Sequence, residues 1–207
     1  DIDERAAQLA AFELTMKARS YFSRFLRKPV QPHVIALENV NEDIIKQAVK
    51  LPLAVAGKLV YDYRDLTLYN LTQADNFGSL IQIDPEELKA LSIQKGSIWQ
   101  GQEQKLKEQA EYLSRQYHCV VTNPPYMGNK GMNSDLRRFV ETYYPSGKED
   151  LMTSFMIRCG DLIYINCSYA MINLPSWLFL ISFEEQRKYL LKHFHIESML
   201  HMGRGIF

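Results

Sequence analysis

A chain of 207 residues, 46% hydrophobic and 23% charged, has an ordinary globular composition and is long enough for one domain with a real core, or one domain plus an appendage. Its 24 basic and 24 acidic side chains cancel to a formal net charge of zero, which excludes nucleic-acid binding by bulk electrostatics alone and leaves room for a local basic face. The longest apolar run, Met171–Ile181, is too short to cross a bilayer and is broken by Asn173, Pro175 and Ser176, so no membrane contact is expected.

Residues 4–26 place Ala7, Leu9, Ala10, Phe12, Leu14 and Phe25 among polar residues in an amphipathic pattern, predicting a helix with Asp3 as N-cap and Pro29 beyond its end. Val34–Leu37 reads as a short buried strand ending at Glu38-Asn39. The stretch 41–115 reads as mostly helical, with helices over Glu42–Val55, Pro85–Leu91 and Gln102–Tyr117, a turn at 74–79 and a candidate strand at Leu80–Ile83. His118–Thr122 is an apolar run that predicts a buried strand, followed by a polar, glycine-containing segment, 128–134. Helices are expected over Asp135–Tyr143, Leu151–Ile165 and Phe183–His193, and strands over Tyr169–Leu174 and Ile196–His201. Strands alternating with helices predict an α/β fold, a parallel sheet with helices on both faces. Ligands of such sheets bind beyond the C-terminal ends of the strands, which directs attention to Asp1, Glu38, Asn123–Tyr126 and Pro175–Trp177.

Three cysteines, Cys119, Cys159 and Cys167, form no CxxC pair and read as reduced core thiols of a cytoplasmic protein. The five histidines show no metal-ligand spacing, so no metal site is expected. The chain starts without an initiator Met, runs at once into a helix and stops in mid-pattern at Gly203–Phe207, as an excised piece of a longer polypeptide would.

Asn123-Pro124-Pro125-Tyr126 is the densest chemical signal. Two consecutive prolines remove two backbone donors and fix two φ angles, so the chain leaves the strand rigidly. Asn offers an amide acceptor and donor at the strand end, and Tyr offers a flat aromatic face beside it. Together they predict a fixed cradle for a planar group carrying an NH2, a nucleobase or an amide.

Val120–Tyr126 resembles motif IV of the S-adenosylmethionine-dependent DNA adenine-N6 methyltransferases. Asp1–Ala6 resembles motif II, Ala170–Leu178 the motif VI region with its Pro-Ser-Trp strand end, and Gly203–Phe207 motif VIII. Asn123–Leu151 is most similar to the large methyltransferases of BREX-type phage exclusion and of type II or IIG restriction-modification. The resemblance implies a Rossmann-like class I methyltransferase sheet, incomplete at its N-terminus, with 1–207 a partial catalytic domain and 41–115 a mainly helical insertion. It implies double-stranded DNA and restriction or phage-defence subunits as partners. Asn-Pro-Pro-Tyr also occurs in methyltransferases of rRNA guanine and of release-factor glutamine, and a non-catalytic DNA-binding module is a further alternative.

An exocyclic amine is a poor nucleophile because its lone pair is delocalised into the ring. By the resemblance, the Asn123 side-chain oxygen and the Pro124 carbonyl accept its two hydrogens and localise that pair, with Pro125 holding the turn. Tyr126 stacks on a flipped adenine and Phe207 packs against its other face. Asp1, Ile2, Glu38 and Asn39 are the implied cofactor contacts, with Asp75 a rival to Glu38, and Trp177 is a candidate pocket wall. Lys130, Arg137 and Arg138 follow the turn and are candidates for DNA phosphate. The glycine-rich motif I and motif X have no counterpart here, so the isolated chain is expected to bind S-adenosylmethionine weakly or not at all.

Overall fold

In the computed structural model, which describes residues 3–93, 96 and 98–203, α1 (Glu4–Tyr21) begins as its sequence dictates. The Asp3 carboxylate accepts hydrogen bonds from Arg5 N at 2.7 Å and Ala6 N at 3.2 Å. The helix ends at Tyr21, five residues before the expected end, where Phe22 turns to extended backbone ahead of a 3-10 turn at Phe25–Arg27. The chain divides into two units at the Arg115–Gln116 junction.

The first unit packs α2 (Glu42–Ala48), the hairpin of β1 (Leu53–Val55) and β2 (Lys58–Val60), α3 (Ala74–Phe77), α4 (Pro85–Ala90) and α5 (Gln100–Ser114). Ile44, Ile45, Leu68, Leu71, Ile81, Leu106 and Ala110 are fully buried and form its core. The helix expected over Glu42–Val55 stops at Ala48. Val49 adopts extended dihedrals, Pro52 supplies no donor, and Leu53–Val55 finds an antiparallel partner in Lys58–Val60. The expected strands at Val34–Leu37 and Leu80–Ile83 are irregular or 3-10 chain. Their apolar residues reach the core (Leu37, Leu80, Ile81), but an apolar run predicts burial, and a strand also requires a ladder. Buried Glu87, 1% exposed, stitches this unit together: its carboxylate accepts from Thr67 N at 2.9 Å, Thr67 Oγ1 at 2.8 Å and Leu68 N at 2.9 Å.

The second unit holds β3 (Tyr117–Thr122), α6 (Ser134–Tyr143), α7 (Leu151–Asp161), β4 (Ile163–Met171) and α8 (Glu184–His193). β3 and β4 pair in parallel, with Val120 opposite Tyr169 and Thr122 opposite Met171, and a bulge between Tyr117 and Cys119. The crossover through α6 and α7 is the connection parallel strands need. The helix expected to reach Ile165 ends at Asp161, and β4 begins six residues before the expected strand. Its β-branched start at Ile163 pairs with Tyr117. α7 is the core of this unit: Leu151, Met152, Thr153, Ser154, Met156, Ile157 and Cys159 are all buried. Gly147 lies against the first turn of α7 so closely that a Cβ there would sit 2.7 Å from Thr153 O.

The strand expected at Ile196–His201 is irregular chain with Leu200 largely exposed. Among the described residues the strands therefore form two two-stranded sheets, a mixed helix-strand architecture in which the predicted parallel sheet is present as a single pair. The burial expected of the apolar run after Tyr117 and of the Cys119 thiol is not found: Cys119 is exposed, Val121 is 75% exposed and Ile165 91% exposed, so this pair carries apolar side chains that the second unit itself does not cover. No helix among the described residues is long and apolar enough to cross a membrane, and no cluster of metal-ligating side chains occurs among them.

Candidate active site

Because β3 and β4 are parallel, their C-terminal ends lie side by side, and the segments that follow them meet. Ile172 N donates to Thr122 O at 3.3 Å, one residue before the Asn-Pro-Pro-Tyr turn. Pro124 is buried, while Asn123, Pro125 and Tyr126 are exposed. Tyr126 folds back over the strand ends. Its hydroxyl lies 2.8 Å from Asn123 Oδ1 and 3.0 Å from Ile172 O. One hydroxyl proton faces two acceptors, so the bond alternates or bifurcates between them. The contact turns the Asn123 amide so that its oxygen faces the phenol. A carbonyl oxygen has two lone pairs, and one remains for an incoming N–H. Tyr126 is 42% exposed.

The segment after the turn is tied to the start of α7. Leu151 N donates to Met127 O at 3.0 Å and Asn129 N to Glu149 O at 2.9 Å, with Gly128 bridged antiparallel to Asp150. Asp150 caps α7: its Oδ1 accepts from Met152 N at 2.9 Å and from Met127 N at 3.3 Å. Burial pushes the Asp150 carboxyl above its ordinary value, against the pull of these two N–H groups. This residue carries a local signal, an Asp directly before an apolar helical run. Its second bond, 23 residues back, has no such signal.

Of the basic residues near the turn, Lys130 and Arg138 are exposed. Arg137 is half-buried, and its Nη2 donates to the carbonyls of Asn129 at 2.9 Å and Met132 at 3.4 Å, which commits it to the loop. Trp177 is half-buried and its carbonyl accepts from Arg187 Nη1 at 2.8 Å.

Glu38 and Asn39 belong to the first unit. Glu38 pairs with Lys105 at 2.9 Å, its N–H donates to Gln109 Oε1 at 2.8 Å, and it borders a cleft of about 310 Å³ with Gln8, Val34, Ile35 and Gln109. Asn39 Oδ1 accepts from Asp75 N at 3.0 Å, so the two rival acidic positions lie at one locus. A carboxylate has about four acceptor positions. Glu38, exposed and with Lys105 as its salt-bridge partner, retains room for a hydroxyl or amino donor of a nucleoside, so the donor set fits the cofactor that the sequence implies. Asp1, Ile2 and Phe207 lie outside the described residues.

Comparison with known proteins gives consistent matches. The family model of the Eco57I restriction-modification methylase matches residues 1–207. The adenine-specific methyltransferase BrxX of Escherichia coli O9:H4 (strain HS) is 34% identical over 239 residues, which cover 100% of this chain and 20% of that protein. The adenine-specific methyltransferase PglX of Lacticaseibacillus casei (strain Zhang) is 31% identical over 225 residues, covering 100% of this chain and 18% of that protein. The chain thus spans about a fifth of the length of these curated relatives.

Proposed function

This chain belongs to the Eco57I restriction-modification methylase family, and on that premise we propose that it carries the acceptor side of a DNA adenine-N6 methyltransferase site. The observation that carries the reading is the Tyr126 hydroxyl bridging Asn123 Oδ1 and Ile172 O at the C-terminal ends of two parallel strands. A phenol held there sets a flat ring beside an amide oxygen, which supports a flat, amine-bearing base as the ligand. The names of the two relatives support adenine as that base.

In this reading a flipped adenine lies on the Tyr126 ring, where stacking contributes about 1–3 kcal/mol. The free lone pair of Asn123 Oδ1 accepts one N6 hydrogen and the Pro124 carbonyl accepts the other. Both acceptors draw the N6 lone pair out of conjugation and aim it. The rigid double proline keeps the two acceptors in register, and such positioning lowers the barrier. Once N6 carries the methyl group it is cationic and strongly acidic, and its extra proton leaves to water. S-adenosylmethionine, when bound, supplies an electrophilic methyl group. Glu38 and Asn39, with Asp1 and Ile2, are the residues of this chain that would hold its nucleoside part. Lys130 and Arg138, both exposed, are the residues that would meet DNA phosphates. The parallel β3–β4 pair forms part of a Rossmann-like class I sheet, and the protein works in the cytoplasm alongside partner subunits of a restriction or phage-defence system.

The test is transfer of labelled methyl by the full-length protein to duplex DNA, to ribosomal or transfer RNA, and to a release factor. The expected result is label in DNA alone, recovered as N6-methyladenine. Label in RNA guanine or protein glutamine would replace the reading, since both present a planar NH2 to the same cradle.

A further inference from the structure

Resting on the reading of Asn123 and Tyr126 as the acceptor cradle, we propose that Asp150 is a positioning residue for this reaction: its carboxylate ties the peptide directly after Tyr126 to the N-terminus of the buried helix α7 and so fixes the attitude of the Tyr126 ring and hydroxyl.

A helix N-cap needs only to satisfy donors of its own first turn. Asp150 does this through Met152 N at 2.9 Å. The same oxygen also accepts from Met127 N at 3.3 Å, a bond the helix does not require. Met127 is the residue bonded to Tyr126, so this N–H belongs to the peptide that follows the stacking ring. The far side of the clamp is rigid. Met152 is fully buried and Leu151 is buried beside it, while Thr153 and Ser154 lock the helix start to Gly147 O at 2.7 and 3.0 Å. The near side is a short antiparallel ribbon, with Leu151 N on Met127 O, Asn129 N on Glu149 O and the Gly128–Asp150 bridge. The Asp150 side chain closes this ribbon at the end nearest Tyr126. Asp150 is 9% exposed, so water competes poorly for its oxygens. At its other end Tyr126 is held through its hydroxyl. Ring attitude is therefore set by two anchors, the hydroxyl bridge and the Met127 peptide, and Asp150 supplies the second.

The test uses three variants of the full-length protein. Asp150→Asn keeps an Oδ1 that accepts from both N–H groups. Asp150→Ser and Asp150→Thr keep a good helix cap but are one bond too short to serve Met152 and Met127 together. Three readouts are taken: thermal midpoint, hydrogen exchange of the Tyr126–Asn129 amides, and kcat with KM for cofactor on duplex DNA. The expected result is that Asp150→Asn reproduces the parent in all three. The Ser and Thr variants keep the parent's midpoint and cofactor KM, exchange faster at Met127, and lose roughly 10- to 100-fold in kcat, the scale of a misplaced reacting group. Parental kcat in the Ser and Thr variants, or a loss of kcat that tracks the midpoint across all three, would overturn the proposal. If the parent itself transfers no methyl to adenine, the functional reading falls, and the exchange readout alone then decides whether Asp150 holds the Tyr126–Met127 peptide.

Discussion

Tyr126→Phe removes one oxygen and leaves the ring, so it separates the hydroxyl bridge from base stacking. The hydroxyl makes contacts of 2.8 Å to Asn123 Oδ1 and 3.0 Å to Ile172 O with a single proton, so its loss removes one net hydrogen bond, worth about 0.5–1.5 kcal/mol. Both acceptors sit at an exposed strand end where water replaces the phenol, which keeps the cost within that range. At about 1.4 kcal/mol per tenfold, the expected loss in kcat/KM is roughly 2- to 13-fold. Tyr126→Ala also removes the ring, adding about 1–3 kcal/mol and bringing the expected loss to roughly 10- to 2,000-fold. The assay is single-turnover methylation of a duplex carrying one target adenine. A target 2-aminopurine reports in parallel whether the flipped base is still quenched. If the Phe and Ala variants lose activity equally, the ring contributes nothing and the stacking role is wrong. If the Phe variant matches the parent, the hydroxyl bridge has no part in orienting Asn123.

Glu87→Gln leaves one oxygen to serve three donors, Thr67 N, Thr67 Oγ1 and Leu68 N, so urea unfolding should show a loss of about 1–3 kcal/mol at neutral pH. Burial raises the Glu87 carboxyl above its ordinary 4.5, ahead of the lowering by its Thr67 and Leu68 bonds. A raised folded value means the folded state holds the proton more tightly. The parent should therefore gain on the Gln variant as pH falls through that value, so the gap between them widens, a change complete below 4.5; a gap that narrows on acidification contradicts the assignment. Cys159 is buried, and burial pushes its thiol up to about 11, so native alkylation at pH 7.5 should label exposed Cys119 and spare Cys159 until unfolding. Mass-spectrometric mapping that finds both labelled at similar rates would show that α7 opens far more readily than its packing allows.

What is legible in the sequence is local. Asp3 as a helix cap and a strand at 118–122 follow from short-range patterns, and both are present, the strand running from Tyr117 to Thr122. The apolar runs at Val34–Leu37 and Ile196–His201 carry the same pattern as β3 without forming strands. A ladder is a property of two segments, and neither run contains information about a neighbour. The helix expected over 42–55 breaks at Val49 and Pro52, both visible in the sequence, because these breakers outweigh the apolar periodicity that runs through them. At the site, Asn123 and Tyr126 stand out by type and spacing, and their mutual bond spans three residues. The Ile172 carbonyl, 46 residues from Tyr126, is backbone and carries no residue signature. Arg137 reads as a free cation because its charge is visible in sequence and its carbonyl partners at Asn129 and Met132 are not.

In the proposed site, Asn123 is an acceptor for the target amine and has no part in folding or in holding the methyl donor. Asn123 is exposed, so Asn123→Ala opens no cavity. The decisive measurement is the single-turnover rate of adenine methylation by the full-length Asn123→Ala protein, with cofactor affinity measured by calorimetry on the same sample. The expected result is methylation reduced below detection with cofactor affinity within about twofold of the parent, a difference under ~0.5 kcal/mol. Methylation at the parental rate, or a loss explained entirely by weaker cofactor binding, would contradict it.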